Sequence, residues 1–280
     1  MVIVNGEHSR SIDVSDRGFQ YGDGLFETIE VVNGKLVFFQ QHWRRLQAGC
    51  ERLSIPCPAL KLLAGEIQAL IADVPRGVLK INITRGMGGR GYAQPDPVQP
   101  SRVISLHPFP DYPASYRQQG IKVRFCQLRL STNPLLAGLK HMNRLEQVLA
   151  RREWHDTDIQ EGLLMDLDDH VIEGTMSNIF IVQDKFLCTP LLDVNGVAGI
   201  IREIILQAAQ RFDLTARQRH LSCLDVLQAD EAFVTNSIIG LWPIRKIDNQ
   251  TIPVGPCGKN ISNWLAACKL HSCQSALQAT

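Results

Sequence analysis

A lysine at position 140 ends an apolar approach, Asn133-Pro-Leu-Leu-Ala-Gly-Leu-Lys140, just before a stretch with helical spacing of apolar residues. Apolar surroundings disfavour an ammonium ion, which suits an amine to form a Schiff base with a carbonyl. By residue type alone, an exposed lysine at a helix start is the commoner outcome. Glu173 stands in Val171-Ile-Glu-Gly-Thr-Met-Ser-Asn178 between two strand-like runs, where a turn acid is usually just solvated. Gly196-Val-Ala-Gly199 directly precedes a helical run at Ile200. Glycines there let backbone N–H groups approach an anion, and the helix dipole adds attraction. Thr235-Asn236-Ser237 follows an apolar run and offers hydroxyl, amide and backbone donors. The glycine-rich Arg85-Gly-Met-Gly-Gly-Arg90-Gly-Tyr92 joins two strand-like runs and opens no helix. It reads as a mobile loop that brings two arginines to an anion. Each signal is weak alone, and Walker A, HExxH, GxSxG and dinucleotide fingerprints are missing.

The elements that must carry these residues follow from periodicity. Val2–Val4 reads as a strand, and Phe26–Val32 and Leu36–Phe39 flank Asn33-Gly34 as a hairpin. Helices are expected over Gln40–Leu53 and Ala59–Ile71, then strands over Gly77–Thr84 and Arg102–His107. Prolines in Phe109-Pro-Asp-Tyr-Pro-Ala-Ser115 read as a linker. The expected division is therefore 1–112, a linker at 113–119, and a larger part at 120–280. The second part offers a strand at Ile121–Leu128 and a helix burying Met142, Leu145, Val148 and Leu149 along one face. Strands at Leu163–Asp166, Ile179–Val182 and Ala232–Thr235 and helices at Ile200–Ala209 and Ile261–Leu270 follow. Strands and helices mix without strict βαβ alternation, which makes the fold class α+β with two domains.

Composition narrows the rest. Of 280 residues, 45% are hydrophobic and 20% charged, enough apolar surface for a large core. Lys plus Arg total 29 against 28 acids, so no field draws a polyanion, which argues against nucleic acid as the main partner. Apolar runs are too short for a membrane span. Eight scattered cysteines, without CxxC or zinc spacing, read as reduced thiols of a cytoplasmic protein with no metal site.

Together the motifs resemble those of the fold-type IV family of pyridoxal 5′-phosphate (PLP) enzymes, which includes branched-chain and D-amino acid aminotransferases. The likeness runs from Asn5 to about residue 270. Its motifs, in order, are Asp16-Arg-Gly-Phe-Gln-Tyr-Gly-Asp-Gly-Leu-Phe-Glu-Thr28, His42-Trp-Arg-Arg-Leu46 and the lysine segment, then Glu173-Gly-Thr-Met-Ser-Asn178, Gly196-Val-Ala-Gly-Ile200 and Thr235-Asn-Ser237. The resemblance implies a small N-terminal α+β domain and a larger C-terminal pseudo-barrel, with the cofactor between them, in a homodimer. It implies that Lys140 is the Schiff-base lysine, that Glu173 holds the pyridine nitrogen protonated, and that Arg45 binds the phosphate. Backbone N–H groups of Ile200 and Ile201 after Gly199, with Asn236 or Ser237, would complete the phosphate cup. Relatives often carry threonine where this chain has Ile201, so the cup is one hydroxyl short unless Ser237 compensates.

Within the family, Gly86-Met-Gly-Gly-Arg-Gly-Tyr92 and Lys140-His-Met-Asn-Arg-Leu-Glu-Gln147 are similar to segments of the lyases that convert 4-amino-4-deoxychorismate to 4-aminobenzoate and pyruvate on the way to folate. Thr28 replaces a glycine of branched-chain aminotransferases. That likeness implies a leaving-group role for Thr28 and substrate contacts from Arg85 or Arg90, Tyr92 and Phe26. Two rivals stand beside it: an aminotransferase acting on D- or branched-chain amino acids, and a cofactor-free binding or scaffold protein on the same fold.

Overall fold

The computed structural model describes residues 1–272, arranged in two compact units, each α+β. The first unit comprises Met1–Pro110, Lys140–Asn143 and, among the described residues, 268–272; the second is Asp111–Leu139 with Arg144–Ala267.

The first unit holds strands β1 (Val2–Val4) and β2 (Glu7–His8), helix α1 (Arg17–Tyr21), and strands β3 (Gly24–Val32) and β4 (Lys35–Leu36). Helices α2 (Phe39–Arg52) and α3 (Leu60–Ile71) and strands β5 (Arg76–Thr84) and β6 (Ser101–Pro108) complete it. Its sheet runs β2-β1-β6-β5-β3-β4, and β3 and β5 pair along their whole length, from Gly24 opposite Thr84 to Val32 opposite Arg76. Alternation sends Leu25, Glu27, Ile29 and Val31 to one face of β3 and Phe26 and Thr28 to the other. The expected strand Leu36–Phe39 stops at Leu36. Phe38 takes a left-handed φ of 54° as the N-cap of α2, so the chain turns into the helix there.

The second unit holds α4 (Ala114–Gln118), β7 (Ile121–Arg129), α5 (Leu145–Arg151), β8 (Glu161–Met165), β9 (Val171–Gly174), β10 (Asn178–Gln183), β11 (Phe186–Thr189) and α6 (Ile200–Ala208). After them come β12 (Thr215–Gln218), α7 (Cys223–Leu227), β13 (Glu231–Asn236), β14 (Gly240–Ile247), β15 (Gln250–Thr251) and α8 (Pro256–Ser272), the last of which belongs to this unit as far as Ala267. Its sheet runs β12-β11-β10-β13-β14-β7-β8-β9, with β15 on β14, and curls into a half-barrel. All five residues of β8 and all four of β9 are buried, so these strands show no in-and-out alternation, and each buries one glutamate among its apolar residues, Glu161 in β8 and Glu173 in β9.

Three expectations change here. The segment 113–119 contains α4, whose Tyr116 sits edge-on to Trp242 at 5.2 Å, so it is packed structure and not a bare linker. Lys140–Asn143 and residues 268–272, placed by position in the larger part, belong to the first unit. Their ties are the β3 hydrogen bonds in which Lys140 O accepts from Phe26 N–H and Met142 N–H donates to Gly24 O, and an ion pair between Lys269 and buried Glu30 at 2.6 Å. Finally, the apolar face expected to bury α5 is open. Leu145, Val148 and Leu149 are 69%, 55% and 42% exposed, while Ala150 on the opposite side is buried.

Candidate active site

In the first unit, the Lys140 segment lies along the start of β3. Phe26 N–H donates to Lys140 O at 3.0 Å, Met142 N–H donates to Gly24 O at 2.9 Å, and Leu25 bridges His141. Gly24 is required at that approach, because a Cβ there would press on Ile83 O and Met142 Sδ. The pairing sets the Lys140 side chain over Phe26, with Nζ 4.2 Å from the ring centroid. Thr28 lies two residues on, on the same face of β3 as Phe26 and opposite Lys80 of β5.

The other face of β3 carries a buried acid that periodicity alone does not explain. Glu27, 2% exposed, accepts from Arg45 Nε at 2.8 Å and Arg45 Nη2 at 2.6 Å, and from His42 Nδ1 at 2.6 Å. Burial acts to raise the Glu27 carboxyl, but the Arg45 charge and the His42 hydrogen bond outweigh it and hold it at about 2. Burial also pushes the His42 ring below its usual range, so it is neutral and donates from Nδ1. Its Nε2 is buried without a hydrogen-bond partner among the described residues. Glu27 thereby fixes the plane of the Arg45 guanidinium.

Removing one member of such a cluster leaves the others uncompensated. Glu27→Gln is expected to lower stability at pH 7 by about 3 kcal/mol in urea unfolding. The depressed carboxyl gives its full stabilisation above the unfolded value of 4.5 and loses it as pH falls toward about 2. The gap between wild type and variant should therefore be constant above pH 5 and narrow below it.

The glycine-rich loop is held more firmly than its composition suggests. Arg17, 3% exposed, donates from Nη1 to the carbonyls of Gly91 and Ala93 and from Nη2 to that of Tyr92, and its Nε pairs with Asp23 at 2.9 Å. Arg85 is 4% exposed. Its Nε and Nη2 bind Asp23, and Nη1 and Nη2 also donate to the carbonyls of Ser54 and Leu53. Burial raises the Asp23 carboxyl, but the hydrogen bonds of both arginines hold it below its usual range. Arg85 is thus occupied by the fold, whereas Arg90 and Tyr92 are exposed.

In the second unit, Glu173 is a strand residue of β9 and 4% exposed, not a solvated turn acid. Its Oε2 accepts the N–H of Val197 at 2.8 Å, and Asn178 Nδ2 donates to the carbonyl of that same residue at 2.8 Å. The stretch before α6 is thus hooked at both polar groups of Val197. Gly199 caps α6 without any side-chain hydrogen bond, and a Cβ on it would collide with Asn178 Oδ1. The first-turn N–H groups of Ile200 and Ile201 therefore lack the side-chain acceptor that usually closes a helix start. Asn236 Oδ1 accepts from the N–H groups of Ile238 and Ile239, and its Nδ2 donates to Met176 O. Thr235 Oγ1, 1% exposed as a residue, is buried with no partner among the described residues. Arg202, in the first turn of α6, has its pKa lowered to about 10 by burial despite the opposing charge of Glu173.

The chain matches the class IV aminotransferase family over residues 24–247. It belongs to that family. The 4-amino-4-deoxychorismate lyase structure from Pseudomonas aeruginosa is 42% identical, with a TM-score of 0.92 over 95% of this chain and 98% of that one. The aminodeoxychorismate lyase of Vibrio harveyi is 38% identical over 248 residues, 88% of this chain and 91% of the relative. A D-alanine aminotransferase of Listeria monocytogenes is 27% identical, covering 92% and 91%. The class IV family is PLP-dependent, and the fold-type IV architecture expected from the motifs is the observed one.

Residue type and motif order singled out Lys140, Glu173 and the Gly199–Ile201 stretch as candidates. Arg17, Glu27, His42 and Arg202 were not singled out. Their shared signal is an ionisable residue inside an otherwise buried element, which implies a specific partner.

Proposed function

We propose that this chain is a PLP lyase that converts 4-amino-4-deoxychorismate to 4-aminobenzoate and pyruvate, in the cytoplasm and as a homodimer. The likeness to the Pseudomonas lyase carries the reading: 42% identity against 27% for the D-alanine aminotransferase, each over most of the chain. The seven cysteines among the described residues are free, which supports a reducing compartment. No helix among the described residues is long and apolar enough to cross a membrane. The open face of α5, Leu145 with Val148 and Leu149, is the surface we assign to the second copy.

The residues present fit the cofactor. A helix start with no side-chain cap, the close approach at Gly199 and the partnerless buried Thr235 hydroxyl suit a phosphate. Buried Glu173 suits a protonated ring nitrogen. When bound, PLP supplies a carbonyl for amines and a ring that accepts the electrons left on carbon after deprotonation. With PLP bound, Lys140 would carry the covalent link through Nζ and, when free, would serve as the base for the proton on the substrate's amine-bearing carbon. Glu173, anchored by the Val197 N–H, would favour the protonated form of the ring nitrogen. Arg45, fixed by Glu27, and the N–H groups of Ile200 and Ile201, with Asn236 or Ser237, would bind the phosphate. Phe26 supplies an apolar wall beneath Lys140. Arg90 and Tyr92 meet the substrate; Arg85, whose donors serve Asp23 and two carbonyls, supports their loop. Loss of the enolpyruvyl oxygen leaves an aromatic ring, and the released enol becomes pyruvate.

Thr28 is the group we assign to that departing oxygen, because β-elimination needs help there and transamination does not. Thr28→Val removes the hydroxyl and keeps the shape of a β-strand residue. It should slow 4-aminobenzoate release by about 10²–10⁴-fold, the usual worth of a positioned proton donor, with PLP binding unchanged. Unchanged release would reduce Thr28 to a strand residue. The function itself is tested by incubating PLP-loaded protein with aminodeoxychorismate and measuring 4-aminobenzoate. An aminotransferase would instead make a new amino acid from an amino donor and 2-oxoglutarate. A scaffold protein would take up no PLP.

A further inference from the structure

A carboxylate sits beneath the turn that joins Glu173 to Asn178. Glu161, the first residue of β8, is 1% exposed. Its Oε1 accepts the Gly162 N–H at 2.9 Å, the Thr175 N–H at 3.0 Å and the Thr175 hydroxyl at 2.5 Å. Its Oε2 accepts the Ser177 hydroxyl at 2.7 Å and the Met176 N–H at 3.3 Å. Four of these five donors belong to residues 175–177, so nearly the whole turn hangs on one side chain. Gly174 must be glycine for this approach, because a Cβ there would collide with Ser177 Oγ and the Glu161 carboxylate.

The cost of the arrangement is visible. Burial pushes the Glu161 carboxyl up, and the hydrogen bonds of Thr175 and Ser177 offset it only in part. A site that needed only filling would be served as well by an apolar residue, since a buried ion rarely stabilises more than a hydrophobic group of the same volume. What the turn carries explains the acid better. One end is Glu173, which accepts from Val197; the other is Asn178, which donates to Val197 and lies against Gly199. In between, Met176 O accepts from Asn236 Nδ2. Moving residues 175–177 would shift all of these groups together.

We propose that Glu161 is a positioning residue for the cofactor: by fixing residues 175–177 it sets the place of Glu173, Asn178 and Asn236, and so both PLP affinity and the electronics of the bound ring. The inference rests on the cofactor reading above. Glu161→Gln keeps the shape but turns an NH2 group toward donors. The apoprotein should fold, judged by circular dichroism. Its PLP dissociation constant should rise about tenfold, the scale of one charged hydrogen bond lost. The pH midpoint of the bound cofactor's visible absorbance should move, and amide exchange should quicken at Val197 and residues 175–178. Ser177→Ala and Thr175→Val, each removing one hydroxyl donor, should shift affinity and midpoint in the same direction by less. A purely structural acid would lower thermal stability while leaving affinity and midpoint untouched, and that result overturns the proposal. Should Glu161→Gln not fold, unchanged affinity and midpoint in both hydroxyl variants overturn it equally. Wild-type protein that takes up no PLP would sink the cofactor reading and this inference with it. Wild type and variants that bind PLP alike would sink this inference alone.

Discussion

Lys140→Ala protein is expected to remain folded, to give no PLP adduct after borohydride reduction, and to form no measurable 4-aminobenzoate. The fold should survive because the segment is held by its backbone: Phe26 N–H on Lys140 O and Met142 N–H on Gly24 O are indifferent to the side chain. On the proposed reading, what is lost is both the covalent link and the base. The base alone is worth about 10²–10⁴-fold, so the two together should take turnover below detection. Added methylamine or ethylamine should restore some turnover if Nζ serves mainly to move a proton. Peptide mapping of reduced wild-type protein is the decisive measurement: a PLP label recovered on Lys80, the other lysine whose Nζ faces Phe26, would overturn the assignment.

Glu173→Gln carries the second large effect. The carboxamide oxygen can still accept the Val197 N–H, so the stretch before α6 should keep its place and PLP should remain bound. The negative charge that keeps a ring nitrogen protonated is gone. A neutral ring draws electrons from carbon poorly, and kcat should fall on the order of a hundredfold or more with PLP affinity changed only slightly. Glu173→Asp keeps the charge but draws it back by one methylene, and should recover part of the loss. If the Gln variant turned over nearly as fast as wild type, Glu173 would have no electronic role.

How far the sequence could be read depended on where each element is buried. Strands with a visible turn or alternation, β1, β3, β5 and β6, were legible within a few residues. The strand β14 was not, because Pro243 and Trp242 lie in a fully buried run with no polar alternation. Helix α5 shows the opposite failure. Its apolar spacing is real, but periodicity reports a face and not what covers it, and that face is open in the single chain. Among site residues, motif order pointed to Lys140 and Glu173. No local pattern separated Arg85 from Arg90, because what distinguishes them is Asp23 and the carbonyls of Leu53 and Ser54, 31 residues or more away in the chain. Glu161 was invisible for the same reason: its turn lies 14 residues downstream.

The hold of Arg17 on the loop that follows β5 uses main-chain oxygens only, those of Gly91, Tyr92 and Ala93. Every residue type presents the same carbonyl, so this anchor does not discriminate among sequences. Side chains at Arg90 and Tyr92 can be exchanged without disturbing what fastens the backbone. A randomised library at these two positions should therefore yield mostly folded, cofactor-loaded proteins that differ in which acids they accept. Randomising Arg17 should yield proteins that lose the loop whatever it carries. If Arg90 and Tyr92 meet the substrate as proposed, scaffold and selectivity lie in separate stretches of the chain, and one could diversify while the other stays constant.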